Sequence, residues 1–116
     1  MEQLSAVAAL SALAHPGRLE IFRLLVRAGA GGLPAGEISR ATQTLPNTLS
    51  SSLAILTQAG LTRSRRVGRS IIYNADYDVM GGLLAFLMED CCGGEPAICE
   101  PAVKLASVLA CRPGAC

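Results

Sequence analysis

The sequence predicts a mainly α-helical chain with one β-hairpin, an α+β fold of one domain. Of its 116 residues, 51% are hydrophobic but only 3% aromatic, so Leu, Ala, Val and Ile must build the interior. Apolar residues recur at helical spacing in segments separated by Gly and Pro. From Leu61 to Ala75 the pattern changes to that of strands around a glycine turn. A chain of this size can bury a core of its own, although a partner subunit would add to it.

Four helices are predicted ahead of the hairpin. Leu4 to Ala14 is apolar on nearly every side, which suits a helix that is buried or faces a partner subunit. Pro16 is tolerated in the first turn of the second helix, which ends at a glycine-rich run. A short helix is expected from Ala35 to Ala41, and a fourth from Pro46 to Ala59, where Gly60 ends it.

The hairpin and one more helix complete the predicted fold. Leu61 to Val67 and Ser70 to Ala75 are its strands, joined by a turn at Gly68-Arg69. The last helix begins near Asp76, since an acidic residue there favours the positive end of the helix dipole, and runs through 79-VMGGLLAFLM-88. We expect its two central glycines to allow close approach of a neighbouring helix.

The net charge of +1 hides a strong asymmetry along the chain. Residues 61–75 carry four arginines and no acid, whereas residues 76–116 carry two basic and six acidic groups. The hairpin is therefore one short basic element in a neutral-to-acidic protein, which favours contact with a polyanion.

Two short helices, a turn, a helix that opens on small polar residues and a basic hairpin make a winged helix-turn-helix pattern. In this arrangement helix 46–59 would enter the major groove of double-stranded DNA, while the hairpin arginines would hold phosphates. The alternative is a solvated polar helix face followed by an ordinary charged hairpin. The candidate base contacts are Asn47, Thr48, Ser50 and Ser51, with Ser52 beside them, and the candidate phosphate contacts are Arg63, Arg65, Arg66 and Arg69.

Three cysteines, Cys91, Cys92 and Cys99, stand in the stretch 88-MEDCCGGEPAICE-100. Thiolates are soft ligands that select thiophilic ions. Zinc usually takes a fourth ligand, and the single histidine, His15, is distant in sequence. Three thiolates suit trivalent arsenic or antimony, which forms a three-coordinate pyramid. Adjacent cysteines can both reach one ion but do not easily pair, since their Cα atoms lie ~3.8 Å apart, below the ordinary disulfide range of ~4.4–6.8 Å.

The residues around the cysteines also bear on other roles for them. Carboxylates and a helix C-terminus beside Cys91 and Cys92 would keep their thiols protonated, which argues against a nucleophile or a peroxide sensor. Cysteines can also be small buried hydrophobes. We expect Cys111 and Cys116 to take no part in ion binding and His15 to make local hydrogen bonds.

Five cysteines without an export signal or membrane span favour a cytoplasmic protein. No catalytic constellation, Gly-rich phosphate loop or C-x-x-C motif indicates an enzyme.

Three stretches resemble the ArsR/SmtB family of metal-responsive repressors: 14-AHPGRLEIFRLL-25, 44-TLPNTLSSSLAILTQAGL-61 and 65-RRVGRSIIYNAD-76. The resemblance implies a homodimer that binds an operator when empty and releases it when metal is bound. Some arsenite-responsive members carry a Cys-Cys pair and a third cysteine after the last helix, as here. The chain departs from many relatives at Ser51 and Ser52, where they have a bulky residue and a histidine.

These observations predict an operator-binding repressor that trivalent arsenic or antimony releases from DNA. Residues 1–94 would form the DNA-binding and dimerisation domain, and residues 95–116 a tail that completes the metalloid site. A thiol-based redox sensor, a thiophilic-metal-binding module and a sensor of methylated arsenic stay open as alternatives, as does whether one subunit or two supply the thiols. The predicted dimer contacts, on the first and last helices, are Leu4, Val7, Leu10, Leu83, Leu84 and Leu87.

Overall fold

The computed structural model describes residues 1–89, which fall into a compact unit, Met1–Leu83, and a second unit that begins at Leu84. The border between the predicted domain 1–94 and tail 95–116 lies outside the described residues, and that division stays a prediction. None of the described helices is long and apolar enough to cross a membrane. The elements in chain order are α1 (Gln3–Leu13), α2 (Pro16–Ala28), β1 (Leu33–Pro34), α3 (Ala35–Thr42), α4 (Pro46–Gln58), β2 (Thr62–Val67), β3 (Ser70–Ala75) and α5 (Tyr77–Leu87).

The predicted α+β fold is confirmed, and the helix ends follow the local signals in the sequence. Pro16 and Pro46 occupy the first turns of α2 and α4. The side chain of His15 caps α2, because its Nδ1 accepts hydrogen bonds from the backbone amides of Gly17 (3.1 Å) and Arg18 (3.3 Å). Gly60, with a φ of +83°, follows the end of α4, as expected for a left-handed stop.

The core of the compact unit is aliphatic and is built around α2, which packs against α1, α3, α4 and β3. Ile21, Leu25 and Leu56 are fully buried there. Truncating such a residue to alanine typically costs about 2–5 kcal/mol, because a cavity is left behind. This core fixes the position of α4 on the surface of the unit.

The sheet has three antiparallel strands in the order β1-β3-β2, so the hairpin has a third strand that the sequence did not predict. Leu33 pairs with Tyr73 at this added edge. Gly32 makes the approach feasible: its φ is +69°, and a Cβ there would collide with the Tyr73 carbonyl. At the hairpin tip, Gly68 has a φ of +61° and joins strands that pair at Val67 and Ser70, which fits the two-residue turn expected there.

Candidate nucleic-acid interface

Helix α4 presents one polar face outward. Its leucines are spaced three or four residues apart and point into the core, whereas the polar residues at its start lie in solvent, as do Ala54 and Ile55 further along. Ser52 shares the inward spacing and is only 6% exposed, so the structure corrects its grouping with the base contacts. The buried positions are Leu49, Ser52, Leu53 and Leu56, and the exposed polar residues at the start of the helix are Asn47, Thr48, Ser50 and Ser51.

The turn between α3 and α4 is held by side-chain hydrogen bonds that the sequence did not reveal. The Thr42 hydroxyl donates to the Ile38 carbonyl over 2.7 Å and lies 2.8 Å from the Thr44 hydroxyl. Ser39 donates to the Thr44 carbonyl. Gln43, with a φ of 53°, adopts the left-handed conformation that ends α3. These bonds set the angle at which α4 leaves α3 and therefore aim its polar face.

Three of the hairpin arginines divide by the pleat of β2, since successive residues point to opposite faces of a strand, and Arg69 lies in the turn that follows. Arg63 donates to Asp76, and Arg65 donates to the carbonyls of Ala30 (3.5 Å) and Gly31 (2.9 Å). Within residues 1–89, Arg66 and Arg69 have no hydrogen-bond or ion-pair partner, and both are exposed. The structure thus gives two of the four predicted DNA contacts a role inside the fold and leaves two at the hairpin tip free for DNA.

Asp76 is the most connected polar residue of this region, and it is only 7% exposed. Its carboxylate accepts hydrogen bonds from the Arg63 Nε (2.7 Å) and from the backbone amide of Val79 (3.1 Å), so it caps α5 while it pairs with β2. Burial raises the pKa of the Asp76 carboxyl, but the Val79 amide and the hydrogen bond and charge of Arg63 outweigh burial. The pKa therefore lies below its ordinary value.

The first helix carries an exposed apolar row. Three of its alanines, Ala6, Ala9 and Ala12, face the core, while Leu4, Val7 and Leu10 face outward. Leu83 of α5 is only 2% exposed and belongs to the interior of the chain, so it offers a partner subunit little surface. The other five predicted dimer contacts stay predictions: Leu4 is 78% exposed, Val7 54%, Leu10 42% and Leu87 50%, and Leu84 is half-buried.

All five cysteines lie outside the described residues, Cys91, Cys92 and Cys99 among them. Within residues 1–89, no group of three or more His, Cys, Asp or Glu side chains is placed to hold a metal ion. His15, which the sequence predicted to make local hydrogen bonds, does so as the cap of α2. The predicted three-thiol site therefore stays a prediction.

The fold and the exposed face of α4 beside a basic hairpin define a winged helix-turn-helix DNA-binding protein. A helix-turn-helix domain family matches residues 13–65. The HTH-type transcriptional regulator YgaV of Escherichia coli is 33% identical over 87 residues, which span 75% of this chain and 86% of that protein. The chain belongs to the ArsR/SmtB family of transcriptional regulators.

Solved structures share this fold. HlyU from Vibrio cholerae is 28% identical, with a TM-score of 0.61 over 76% of this chain and 95% of its own. A reduced form of HlyU is 29% identical, with a TM-score of 0.59 over 72% and 88% of the two chains. A homodimeric winged helix-turn-helix DNA-binding domain from Mycobacterium bovis is 28% identical, with a TM-score of 0.60 over 74% and 80%.

Proposed function

We propose that this regulator is a repressor that binds its operator as an apo homodimer and is released when trivalent arsenic or antimony binds Cys91, Cys92 and Cys99. The observation that carries the proposal is the three-cysteine cluster that begins four residues after the end of α5, in a family member whose described residues contain no cysteine. The donor set fits the ion, since three soft thiolates complete the coordination of As(III).

Two features support DNA binding: the polar start of α4 and the arginines at the hairpin tip. Exposed polar groups at the start of α4 are of the kind that bond base edges in the major groove. Arg66 and Arg69 lie exposed at the hairpin tip, in an acid-free segment of charge +4. A binder of this kind gains much of its affinity from phosphates and its selectivity from the helix.

The homodimer is supported by the outward row of Leu4, Val7 and Leu10 on α1. Large apolar side chains in a contiguous exposed row mark an interaction surface. The related domain from Mycobacterium bovis is homodimeric. A dimer presents two copies of α4, so a change in their spacing changes operator affinity without any change in α4 itself.

The structure also supports a physical route for coupling. The beginning of α5 is tied to the wing, which is the β2-β3 hairpin, through Asp76 and Arg63. We infer that drawing three thiols onto one ion after α5 biases this helix and with it the dimer. A coupling of ~1–3 kcal/mol is typical, and ~5.5 kcal/mol would take operator occupancy from nearly full to nearly empty.

The test is binding of the purified chain to DNA from upstream of its own gene, followed by titration with arsenite, antimonite, cadmium and zinc under reducing conditions. We expect tight binding without metal, and release by arsenite and antimonite at lower concentrations than by zinc. Release by zinc or cadmium, but not by arsenite or antimonite, would mean that the effector is a divalent ion and not a metalloid. Retained arsenite binding without operator binding would indicate a thiophilic-metal-binding module.

A thiol-based redox sensor is the second candidate, and one observation favours it: the related HlyU has been solved in a reduced form. In such a sensor an oxidant would release the operator, and a reductant would restore binding. The two candidates separate in one experiment, since a redox sensor responds to an oxidant without arsenite, whereas the metalloid sensor responds to arsenite with a reductant present.

A further inference from the structure

A groove with a volume of about 460 Å³ lies between α4 and the wing. Ser50, Thr57 and Gln58 of α4 line one side, and Ser64 and Tyr73 of the sheet line the other. We propose that this groove seats a phosphate of the DNA backbone, and that the hydroxyls of Tyr73 and Ser64 donate hydrogen bonds to it. Neither residue was among the DNA contacts that the sequence predicted.

The strand register of the hairpin places Ser64 and Tyr73 side by side on one face of the sheet. Ser64 stands directly opposite Tyr73, and Arg66 follows two residues later on the same face of β2. That face is turned toward α4, because Thr62, also on it, lies 2.8 Å from Thr57 of α4, hydroxyl to hydroxyl. Arg63 and Arg65 lie on the opposite face. The groove therefore runs from the recognition face of α4 toward the free arginine Arg66.

The donors of the groove are free and well placed. Among residues 1–89, the hydroxyls of Ser64 and Tyr73 and the amide of Gln58 make no hydrogen bond to other residues, whereas the Thr57 hydroxyl is already paired with Thr62. Tyr73 sits on the central strand β3, paired with Leu33 on one side and Ser64 on the other. Its backbone is thus fixed before DNA arrives, which lowers the entropic cost of binding.

The chemistry of the lining favours a phosphate over a base. Apart from Leu53 and Ala54 the lining residues are polar, none of them is a carboxylate, and their side chains can all donate hydrogen bonds. Neutral side chains such as Ser, Gln and Tyr commonly bond phosphate oxygens and fix the register of a protein on DNA. Because Ser50 belongs both to this groove and to the exposed start of α4, a phosphate seated here would set how deeply the helix enters the major groove.

The inference rests on the DNA binding of the proposed function and is independent of arsenic. We expect Tyr73→Phe to weaken binding about tenfold, since a hydrogen bond to a charged group is lost. The loss should be equal for operator and random DNA, and the salt dependence should not change, because no charge is removed. Ser64→Ala should behave likewise. Tyr77→Phe is the matched control: it removes the same atom from a hydroxyl bonded to Val26 and should leave DNA affinity unchanged.

A second measurement locates the phosphate. Binding of wild type and Tyr73→Phe is compared on duplexes in which one phosphate at a time is a neutral methylphosphonate. At one position the replacement should weaken wild type but have little further effect on Tyr73→Phe. Wild-type affinity in both Tyr73→Phe and Ser64→Ala, loss of operator discrimination alone, or additive effects at every phosphate would overturn the inference. Failure of the wild-type chain to bind any DNA would instead refute the proposed function.

Discussion

The Nε of Arg63 donates to the Oδ2 of Asp76 over 2.7 Å, and this ion pair joins the first strand of the wing to the first turn of α5. The same carboxylate caps α5 through the amide of Val79. One buried side chain therefore holds both the hairpin, which carries the free arginines, and the helix that leads toward the cysteines. Arg63, which the sequence predicts as a phosphate contact, therefore also stabilises the fold.

We predict that Asp76→Asn lowers the free energy of unfolding by about 1 kcal/mol at neutral pH, since the ion pair is lost while an amide can still cap α5. Asp76→Ala should cost about another 1 kcal/mol, because the cap is lost as well. Urea unfolding followed by circular dichroism measures both. Equal stabilities of the two variants would mean that the cap contributes nothing.

The pH dependence of this pair has a definite sign. The folded chain lowers the pKa of Asp76 below its ordinary value of 3.8, so the folded state favours the ionised form. The stabilisation is present above that ordinary pKa and is lost as the pH falls through the lower folded value. The difference in unfolding free energy between wild type and Asp76→Asn should therefore shrink below about pH 4. A difference that grows in acid would contradict the assignment.

The two free arginines should behave differently from the two engaged ones. Arg66→Ala or Arg69→Ala is expected to weaken binding to all DNA about equally, and to lower the slope of log affinity against log salt by about one unit. Arg65→Ala is the comparison, because its guanidinium is bonded to the Gly31 carbonyl and its loss should mainly loosen the wing. Unchanged slopes in both tip variants would remove the wing from the interface.

The exposed start of α4 should supply discrimination. Asn47→Ala or Ser50→Ala is expected to narrow the affinity ratio between operator and random DNA by about 1–3 kcal/mol per lost base contact. Ser52→Ala is the control, because Ser52 is buried and should affect stability but not the ratio. Competition binding with both DNAs measures the ratio. A uniform loss on both DNAs would make Asn47 and Ser50 positioning contacts.

The local signals of the sequence predicted most of the fold, and the reasons for the misses are physical. Proline, glycine and the change of period mark α2, α4 and the hairpin within a few residues, so these elements could be predicted. Strand β1 could not, since two residues become a strand only by pairing with Tyr73, some 40 positions away. The burial of Ser52 did carry a signal, because it lies three residues after Leu49 on the apolar side of α4.

The sequence likewise predicts one part of the candidate site and misses another. Residue types and order suffice to mark the polar start of α4 and the basic hairpin as DNA contacts. The partner of Arg65 lies 34 residues earlier and that of Arg63 13 residues later, so only the folded chain reveals which arginines stay free. The groove at Tyr73 likewise depends on the register of β2 with β3.

The apolar row on α1 should mediate dimerisation. We predict that Val7→Glu shifts the chain toward the monomer, because a charge at a buried interface is left unpaired. Val67→Glu is a closely matched control: both valines are 54% exposed, but Val67 lies on the wing. Sedimentation velocity at several concentrations gives the oligomeric state. An unchanged state for Val7→Glu, or dissociation by Val67→Glu, would remove α1 from the interface.

The last prediction concerns the three thiols. Replacing Cys91, Cys92 or Cys99 by Ser should leave operator binding intact, because the proposed DNA contacts on α4 and the hairpin lie in residues 1–89. Each change should raise the arsenite concentration needed for release by more than about tenfold, since loss of one of three sulfur bonds removes well over 1.4 kcal/mol. Anisotropy of a labelled operator, titrated with arsenite under reducing conditions, measures the release.

Cys111→Ser and Cys116→Ser are the matched controls and should release like wild type. A monomethylated arsenical has only two free coordination positions, so a Cys99→Ser chain that still responds to it would make the adjacent pair Cys91 and Cys92 the minimal site. Cys99 would then set selectivity for the inorganic ion. A wild-type response in all three cluster variants, with loss of response in the two controls, would move the ion site to Cys111 and Cys116. The proposed DNA contacts on α4 and the hairpin would be unaffected.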